Sequence, residues 1–518
     1  MPFIGILLSG MLVAQIVATL HVWLSNQSLV ANLAVLKSAG YFTIPNPLVH
    51  PPLTSINAAL AGAIFFTLTI GAGITLVAMG LTYYWTLSLR KIDNTSAIQL
   101  NATTTTDKIR LQNIRRSPFI PSMGAFMVLY LLIYLNMDGI CVVESLYLII
   151  IPLVVVPLTY RWAVKSGPKN HLRQILISLT PILMLTLIWA SQWDQNLFTR
   201  IRDHLLLESR VGRTINDLYY RYTLYPAEAF KPLSQKMLRT CRFINFNDTN
   251  QTLQIEALLR GQDYLVVPNT HTANLTIKRQ KSKLTLTTKG APSTTIDIKK
   301  FLTNSNNILA DVSQKADNKA SLRVLVFYAL IFGFPITLYA VFYGLLYRLL
   351  TFLIRPLNAS IITALLCFLI GLTLFMPVWN SKINPEQLND LNAALISKHF
   401  QIRTAALRKI YDQKLEIAKL YNYKESIKSR HISERYWLAR ALSVSKDSRT
   451  YKDLFILLND FQPIVQCQAL YALGNRHRSS AVTPIYNLLK TSDHWYIQWY
   501  GYRALRRLGW VQSKQNFF

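Results

Sequence analysis

Asp203, His204 and Glu208 form the one compact cluster of titratable side chains in this 518-residue sequence. An imidazole flanked by carboxylates is material for general acid–base chemistry, because histidine exchanges its proton near neutral pH. The spacing weakens that reading. Adjacent residues on a helix point in different directions, so Asp203 and His204 do not share a face, and a solvated helix face is the expectation. The nine histidines (His21, His50, His171, His204, His271, His399, His431, His477, His494) are dispersed, with no pair at metal-binding spacing on a predicted helix. Only His21 lies in an apolar run, and intramembrane haem would need a facing pair. Cys141, Cys241, Cys367 and Cys467 form no CxxC, so no disulfide framework, zinc site or haem-attachment motif is legible. Cys367 and Cys467 fall on apolar faces and are expected in the core. Walker, GxSxG and HExxH patterns are absent. The sequence assigns no catalytic residue, no metal ligand and no cofactor, and it leans away from an enzyme.

The elements that carry these residues are mostly apolar. Hydrophobic residues make up 51% of the chain and charged residues 15%, against about 25% charged in soluble globular proteins. A membrane span needs about 20 mostly apolar residues in a helix. Seven stretches qualify: 3–24, 58–85, 120–136, 144–160, 174–189, 322–346 and 359–379. The first lacks the basic start and small-residue cleavage site of a signal peptide and reads as a retained span. Gly71, Gly73 and Gly80 in the second suit close helix approach. The third and fourth read as a hairpin, and Pro152 and Pro157 should kink the fourth. Ionisable residues inside spans are few. Asp138 and Glu144 flank the hairpin turn and are expected to be wetted, and Asp194 and Asp203 are expected near the surface after the fifth span. That scarcity argues against an ion-coupled transporter.

Lys and Arg in short loops set orientation. Arg90, Lys91, Lys108, Arg110, Arg115 and Arg116 follow the second span. Arg161, Lys165, Lys169 and Arg173 follow the fourth, and Arg348 and Arg355 the sixth. The loop 25–56 holds only Lys37, and the hairpin turn holds no basic residue. Seven spans with a cytoplasmic N-terminus follow, which would place 191–321 and 381–518 outside the cytoplasm, in the periplasm of a bacterium. The formal net charge is +30, and roughly two-thirds of the excess lies in those two segments. Such surfaces favour acidic proteins or anionic lipid headgroups; nucleic acid ranks last, because charge alone gives nonspecific affinity.

Segment 191–321 changes character along its length. Residues 196–239 have a helical pattern with an aromatic run, Tyr219 to Tyr222 and Tyr225-Pro226. From Arg242 to Phe301 the pattern becomes strand-like. The runs 274–279 and 282–288 alternate apolar and polar residues, with a hairpin turn at Gln280-Lys281. Residues 255–267 and 295–298 add strand candidates, with loops at 247–252 and 289–292. Asn247-Asp248-Thr249 and Asn274-Leu275-Thr276 match a glycosylation acceptor pattern that is too common to carry weight.

The segment 381–518 contains a loose repeat with a spacing of roughly 30–35 residues. Its copies begin near Ile402, Tyr436, Gln466 and Tyr500, with second helices near 451–460 and 481–490. Ala469, Leu470, Ala472, Leu473 and Gly474, then Ala504, Leu505, Leu508 and Gly509, resemble HEAT-like repeats of the phycobilisome-lyase type. The resemblance covers about a quarter of the chain and implies paired helices stacked as a solenoid, which mostly bind other proteins. The family's usual Asp-x-x-Val-Arg start is reduced to Phe461-Gln-Pro-Ile-Val-Gln and Asp493-His-Trp-Tyr-Ile-Gln here. Trp495, Trp499, Tyr502, Arg503, Arg506, Arg507 and Trp510 are the candidate partner-binding residues, since Trp, Tyr and Arg dominate interface hot spots.

The expected fold is mainly α: a polytopic helical membrane protein with a small β-rich insert and a C-terminal HEAT-like solenoid. The expected segments are a membrane domain at 1–190, a soluble insert at 191–321, two further spans at 322–380 and the repeat domain at 381–518. The leading functional expectation is a membrane-anchored scaffold or accessory subunit of an envelope complex, in contact with membrane lipid and binding acidic protein partners. The alternatives are a transporter or channel with soluble gating parts, and a membrane enzyme acting on lipid or envelope substrates.

Overall fold

The computed structural model describes residues 2–50, 52–99, 119–165, 168–222, 231–246, 248–383, 388–420 and 422–514. Lys108, Arg110, Arg115, Arg116, Tyr225-Pro226 and Asn247, named above, lie outside the described residues. The chain is mainly helical, with 72% helix and 5% strand.

In chain order the first helices are α1 (Pro2–Ser38), α2 (Ile56–Phe66), α3 (Ala72–Gln99), α4 (Phe119–Leu135), α5 (Val142–Lys165), α6 (Pro168–Ala190), α7 (Leu197–Arg200) and α8 (Arg210–Tyr222). A small α/β segment follows: β1 (Arg239–Ile244), α9 (Thr249–Gly261), β2 (Tyr264–Val266), β3 (Leu275–Gln280), β4 (Lys283–Thr288), β5 (Thr294–Asp297) and α10 (Ile298–Lys315). Next come α11 (Ala320–Tyr328), α12 (Phe334–Leu350) and α13 (Pro356–Asn380). The chain ends in α14 (Leu391–Leu395), α15 (Phe400–Asp412), α16 (Ile432–Val444), α17 (Tyr451–Leu458), α18 (Pro463–Asn475), α19 (Val482–Thr491) and α20 (Trp495–Arg507). Wider π-helical turns interrupt three places: Thr67–Gly71, Ile201–Leu206 and Ala329–Gly333.

Among the described residues, six helical stretches are long and apolar enough to cross a membrane: Phe3–Ser38, Ile56–Leu87, Val142–Lys165, Arg173–Ala190, Ala320–Leu350 and Pro356–Asn380. The expected third span corresponds to a shorter apolar helix, Ser122–Leu135. The chain divides into two compact units. The first comprises Met1–Ser25, Ala59–Ile188 and Asp317–Leu372, and the second Asn26–Ala58, Trp189–Ala316 and Thr373–Phe518.

Close approach defines the first unit. A Cβ on Gly71 would stand 2.3 Å from the Ala14 Cβ, and one on Gly10 would stand 2.4 Å from a Thr75 methyl. Glycine at both points lets α1 lie directly on the α2–α3 stretch. Threonine hydroxyls stay satisfied here by bonding back one turn: Thr67 to Ala63, Thr75 to Gly71 and Thr82 to Ala78. Gln15 bridges α1 to α2, donating to the Leu60 carbonyl at 2.9 Å and accepting from Thr67 at 2.7 Å.

In the second unit the five strands form one sheet in the order β2-β1-β3-β4-β5. β1 pairs in parallel with β2 and β3, and β3, β4 and β5 are antiparallel. Alternation decides the faces: Leu275 and Ile277 of β3 and Leu284 and Leu286 of β4 are buried with Ile255 and Leu259 of α9 and Phe301 of α10. Lys281 takes a left-handed φ of 54° in the two-residue turn that pairs Gln280 with Lys283. One expectation fails. Residues 249–261 are helix, neither the expected loop at 247–252 nor a strand from 255. Asp248 caps that helix by accepting the N–H groups of Asn250 and Gln251, and Ile255 and Leu259, four apart, bury one helical face.

Candidate functional site

Four helices of the second unit, α15, α16, α18 and α20, are each 13 residues long. Their N-caps are His399, His431, Gln462 and His494, spaced 32, 31 and 32 residues apart. Two residues before each cap, Ser397, Ser429, Asp460 and Ser492 accept the cap residue's N–H, at 3.3, 3.1, 2.8 and 3.2 Å. At the fourth helical position Arg403, Arg435 and Gln498 reach back to the carbonyls of Ser397, Ser429 and Ser492. Arg403 also pairs with Glu434 at 2.5 Å and Arg435 with Asp460 at 2.6 Å, each carboxylate coming from the next copy. Ala441, Ala472 and Ala504 recur at one buried register, and Leu442, Leu473 and Leu505 at the next. Small residues there let α16 pack on α18 and α18 on α20.

This row of helices binds other parts of its own unit. Asp203 is 2% exposed; it accepts the indole N–H of Trp437 and a guanidinium N–H of Arg202, both at 2.7 Å. Arg202 lies over the Tyr436 ring, 4.0 Å from its centroid. Glu208 accepts from Ser433 at 3.1 Å and pairs with Nδ1 of His431 at 2.7 Å. His204 packs beside Phe400, which stacks on His431. Burial lowers the His204 pKa to about 4, and the same cause lowers His494 to about 4. Tyr220 of α8 stacks on Tyr496 with ring centroids 4.4 Å apart. The expected solvated face at 203–208 and the expected surface position of Asp203 are thereby corrected. Asp203 turns away from His204 to Trp437, whereas His204 and Glu208, four residues apart, both reach the Phe400–His431 stack.

A serine, a histidine and a glutamate together raise the question of a nucleophile. Ser433 donates to Glu208 rather than to the imidazole, and Nε2 of His431 accepts from Arg430 at 3.2 Å. The Ser433 proton is held by the Glu208 carboxylate and not by the imidazole, so the geometry is a staple and not a Ser–His relay. Among the described residues no group of three or more His, Cys, Asp or Glu could hold a metal ion.

The seven sequence-predicted residues divide into two sets. Trp495 and Tyr502 are buried with Ile44, Val49, Leu53 and Met237, and Trp499 and Trp510 pack at the edge of that cluster. Tyr502 and Arg506 both meet Asp263, at 2.6 and 2.9 Å. Arg503 and Arg507 are exposed. Arg503 lies over Trp499 at 4.5 Å and Arg507 over Tyr471 at 4.7 Å. Arg440, which the sequence did not single out, sits over Tyr411 at 4.3 Å and near Trp437 and Tyr471. It occupies the ninth position of its helix, as Arg408, Tyr471 and Arg503 do in theirs. Aligning the copies by their caps would have found it.

The first unit holds a second polar cluster. Glu144, expected to be wetted, is 7% exposed. Its Oε1 lies 3.1 Å from both His21 Nε2 and Lys319 Nζ. The hairpin turn folds against the start of α11: Ser321 donates to Asp138 at 3.0 Å, and the Cys141 thiol to the Asn318 carbonyl at 3.3 Å. One carboxylate thus ties α1, α5 and the entry to α11. No sequence pattern announces it, because the partners lie 123 and 175 residues away.

No family model matches the chain, and comparison with curated proteins and with solved structures finds no match.

Proposed function

We propose that this protein is a membrane-anchored scaffold or accessory subunit of an envelope complex, holding an acidic protein partner on a HEAT-like helical solenoid. The observation that carries the reading is the fourfold row of capped 13-residue helices. In stacked helix pairs such a row forms an extended binding surface. Charge supports it: the second unit carries 41 of the 55 Lys and Arg but 20 of the 25 Asp and Glu. The apolar stretches would hold the chain in the membrane, which in this reading is a bacterial inner membrane, and the loop charge bias favours 191–321 and 381–518 on its periplasmic side. A polar transport path finds less support, because the cavity of about 980 Å³ beside α3, α4 and α5 is lined mainly by apolar residues such as Ile74, Val128 and Leu153.

Native purification of the tagged full chain in mild detergent, read by mass spectrometry, tests the proposal. A stoichiometric set of envelope proteins is the expected result. A lone monodisperse chain under conditions that preserve membrane complexes would reject it.

A further inference from the structure

The arginines of the helical row fall into two classes. Arg403, Arg435 and Arg506 are neutralised by Glu434, Asp460 and Asp263. Arg440, Arg503 and Arg507 are not: among the described residues, no carboxylate lies within ion-pair distance of any of the three. Each is instead held over an aromatic ring, Tyr411, Trp499 or Tyr471. Hydrogen bonds fix two of them further. Arg440 donates to the Tyr411 hydroxyl at 2.6 Å, and Arg507 to the Asn475 amide oxygen at 2.9 Å. Arg440 keeps a buried Nε–H without a partner.

A stacked guanidinium has lost most of its side-chain freedom before any ligand arrives; Arg440 donates one N–H of each terminal nitrogen, to the Tyr436 and Tyr411 hydroxyls, and keeps the second of each for a ligand. A guanidinium is also more weakly hydrated than an ammonium, so pairing it with a carboxylate costs less desolvation. The charges are distributed across the row, on α16 and α20 with the Tyr471 ring of α18 between them. Arg440 and Arg507 lie 5.6 and 4.7 Å from the centroid of the same Tyr471 ring, which the two guanidinium groups therefore share.

We infer that Arg440, Arg503 and Arg507, with the rings of Tyr411, Tyr471 and Trp499, form a docking strip for an acidic, aromatic-containing protein segment laid across α16, α18 and α20. The inference rests on the scaffold reading and names the surface and the chemistry of the partner. Charge complementarity selects the acid: three fixed cations lack an internal counter-charge. The scaffold reading selects a protein segment, and the half-burial of Arg440 disfavours a lipid surface. Headgroups are gathered by protruding, flexible basic residues, whereas here Arg440 is half-buried between rings.

The test uses the full chain in detergent micelles and a fluorescein-labelled peptide of alternating Glu and Tyr, followed by anisotropy. A Lys–Tyr peptide, vesicles containing phosphatidylserine and a single-stranded RNA serve as competitors. Arg440→Gln/Arg503→Gln/Arg507→Gln is expected to weaken acidic-peptide binding by about tenfold or more. Lys283→Gln/Lys289→Gln/Lys299→Gln, which removes the same charge from the sheet segment, is expected to change it less than about twofold. Arg→Lys at the three strip positions keeps the charge, loses the fork and should fall between. Equal losses in the two neutral triples would reduce the effect to net charge and overturn the strip. So would wild-type failure to bind the peptide, or displacement by vesicles or RNA but not by unlabelled peptide. Unchanged native co-purification by the strip triple would remove the strip while leaving the scaffold reading standing.

Discussion

Tyr502 donates its hydroxyl hydrogen to Asp263 at 2.6 Å, joining the last long helix to the turn after α9 across 239 residues of sequence. Asp263 holds a left-handed φ of 61° there, a conformation that aspartate tolerates better than most residues. Burial raises its pKa, and Tyr502 and Arg506 offset that only in part. The pair is therefore a joint within the second unit. It explains why a tyrosine with the composition of an interface hot spot is 1% exposed.

Tyr502→Phe keeps the ring and removes one hydrogen bond, so its expected cost is about 1 kcal/mol. Asp263→Ala removes both bonds and leaves Arg506 without its counter-charge, for about 2–3 kcal/mol. Thermal unfolding of the solubilised chain should rank the two in that order. Equal losses would show that the Tyr502 bond carries the joint and that the Arg506 pair adds nothing.

Glu144 supports a sharper contrast. His21 is 3% exposed and cannot exchange its lost partner for water, so Glu144→Ala should cost about 3–5 kcal/mol. The Lys319 side chain is 25% exposed and can turn to solvent, so Lys319→Met should cost about 1 kcal/mol or less. Midpoints from detergent-based thermal challenge would separate these. A Lys319 variant as damaged as the Glu144 variant would place the stabilisation in the Lys–Glu pair alone.

The even spacing of the four 13-residue helices is legible in the sequence as a loose recurrence of Ala, Leu and Gly, because buried registers must stay small and apolar. Their caps are not, because Ser, Ser, Asp and Ser at 397, 429, 460 and 492 look like ordinary loop residues until helix starts are fixed. The β3–β4 hairpin followed from alternation, while α9 was misread because Leu258, Leu259, Leu265 and Val266 mask a period of four behind an apolar run. Trp437, His431 and His21, the partners of Asp203, Glu208 and Glu144 on other helices, lie more than 120 residues away from them. No local pattern encodes such pairs. Hot-spot composition at Trp495 and Tyr502 misled for a related reason: the same chemistry that binds a partner also binds a chain to itself.

The cap pattern makes a graded prediction. Ser429→Ala removes one bond to the His431 N–H and should cost about 1 kcal/mol. Asp460→Ala removes the equivalent bond and also the counter-charge of Arg435, whose side chain is 4% exposed; about 3–5 kcal/mol is expected. Asp460→Asn, which keeps the cap acceptor, should fall between. Urea unfolding followed by intrinsic fluorescence, to which Trp437 contributes with the other tryptophans of the ten in the chain, measures these losses. Identical losses for Ala and Asn would assign the whole effect to the ion pair.

Two imidazoles, buried at His494 and half-buried at His204, set an acid limit on the second unit. His204 and His494 have pKa values lowered to about 4 by burial, while an unfolded histidine titrates near 6.5. The folded chain therefore binds fewer protons than the unfolded chain between those values. Stability is full above about pH 6.5 and falls as pH drops toward 4. At pH 5 the loss is about 2 kcal/mol per histidine at most. Asp203, Arg200 and Arg202 act on His204, and Arg221 and Asp493 on His494; burial is the largest influence on both. Asp263 and Asp217, whose pKa values are raised, oppose the loss only at lower pH, nearer the carboxylate range. His494 also caps α20 by accepting the Tyr496 N–H at 3.2 Å through Nδ1, a lone pair that protonation removes. His494→Asn preserves a cap acceptor without titrating, and His204→Leu suits a position beside Phe400. The double variant should flatten the decline in melting temperature between pH 7 and 5, with little change at pH 7.5. An undiminished decline would locate the acid-sensitive step in other groups.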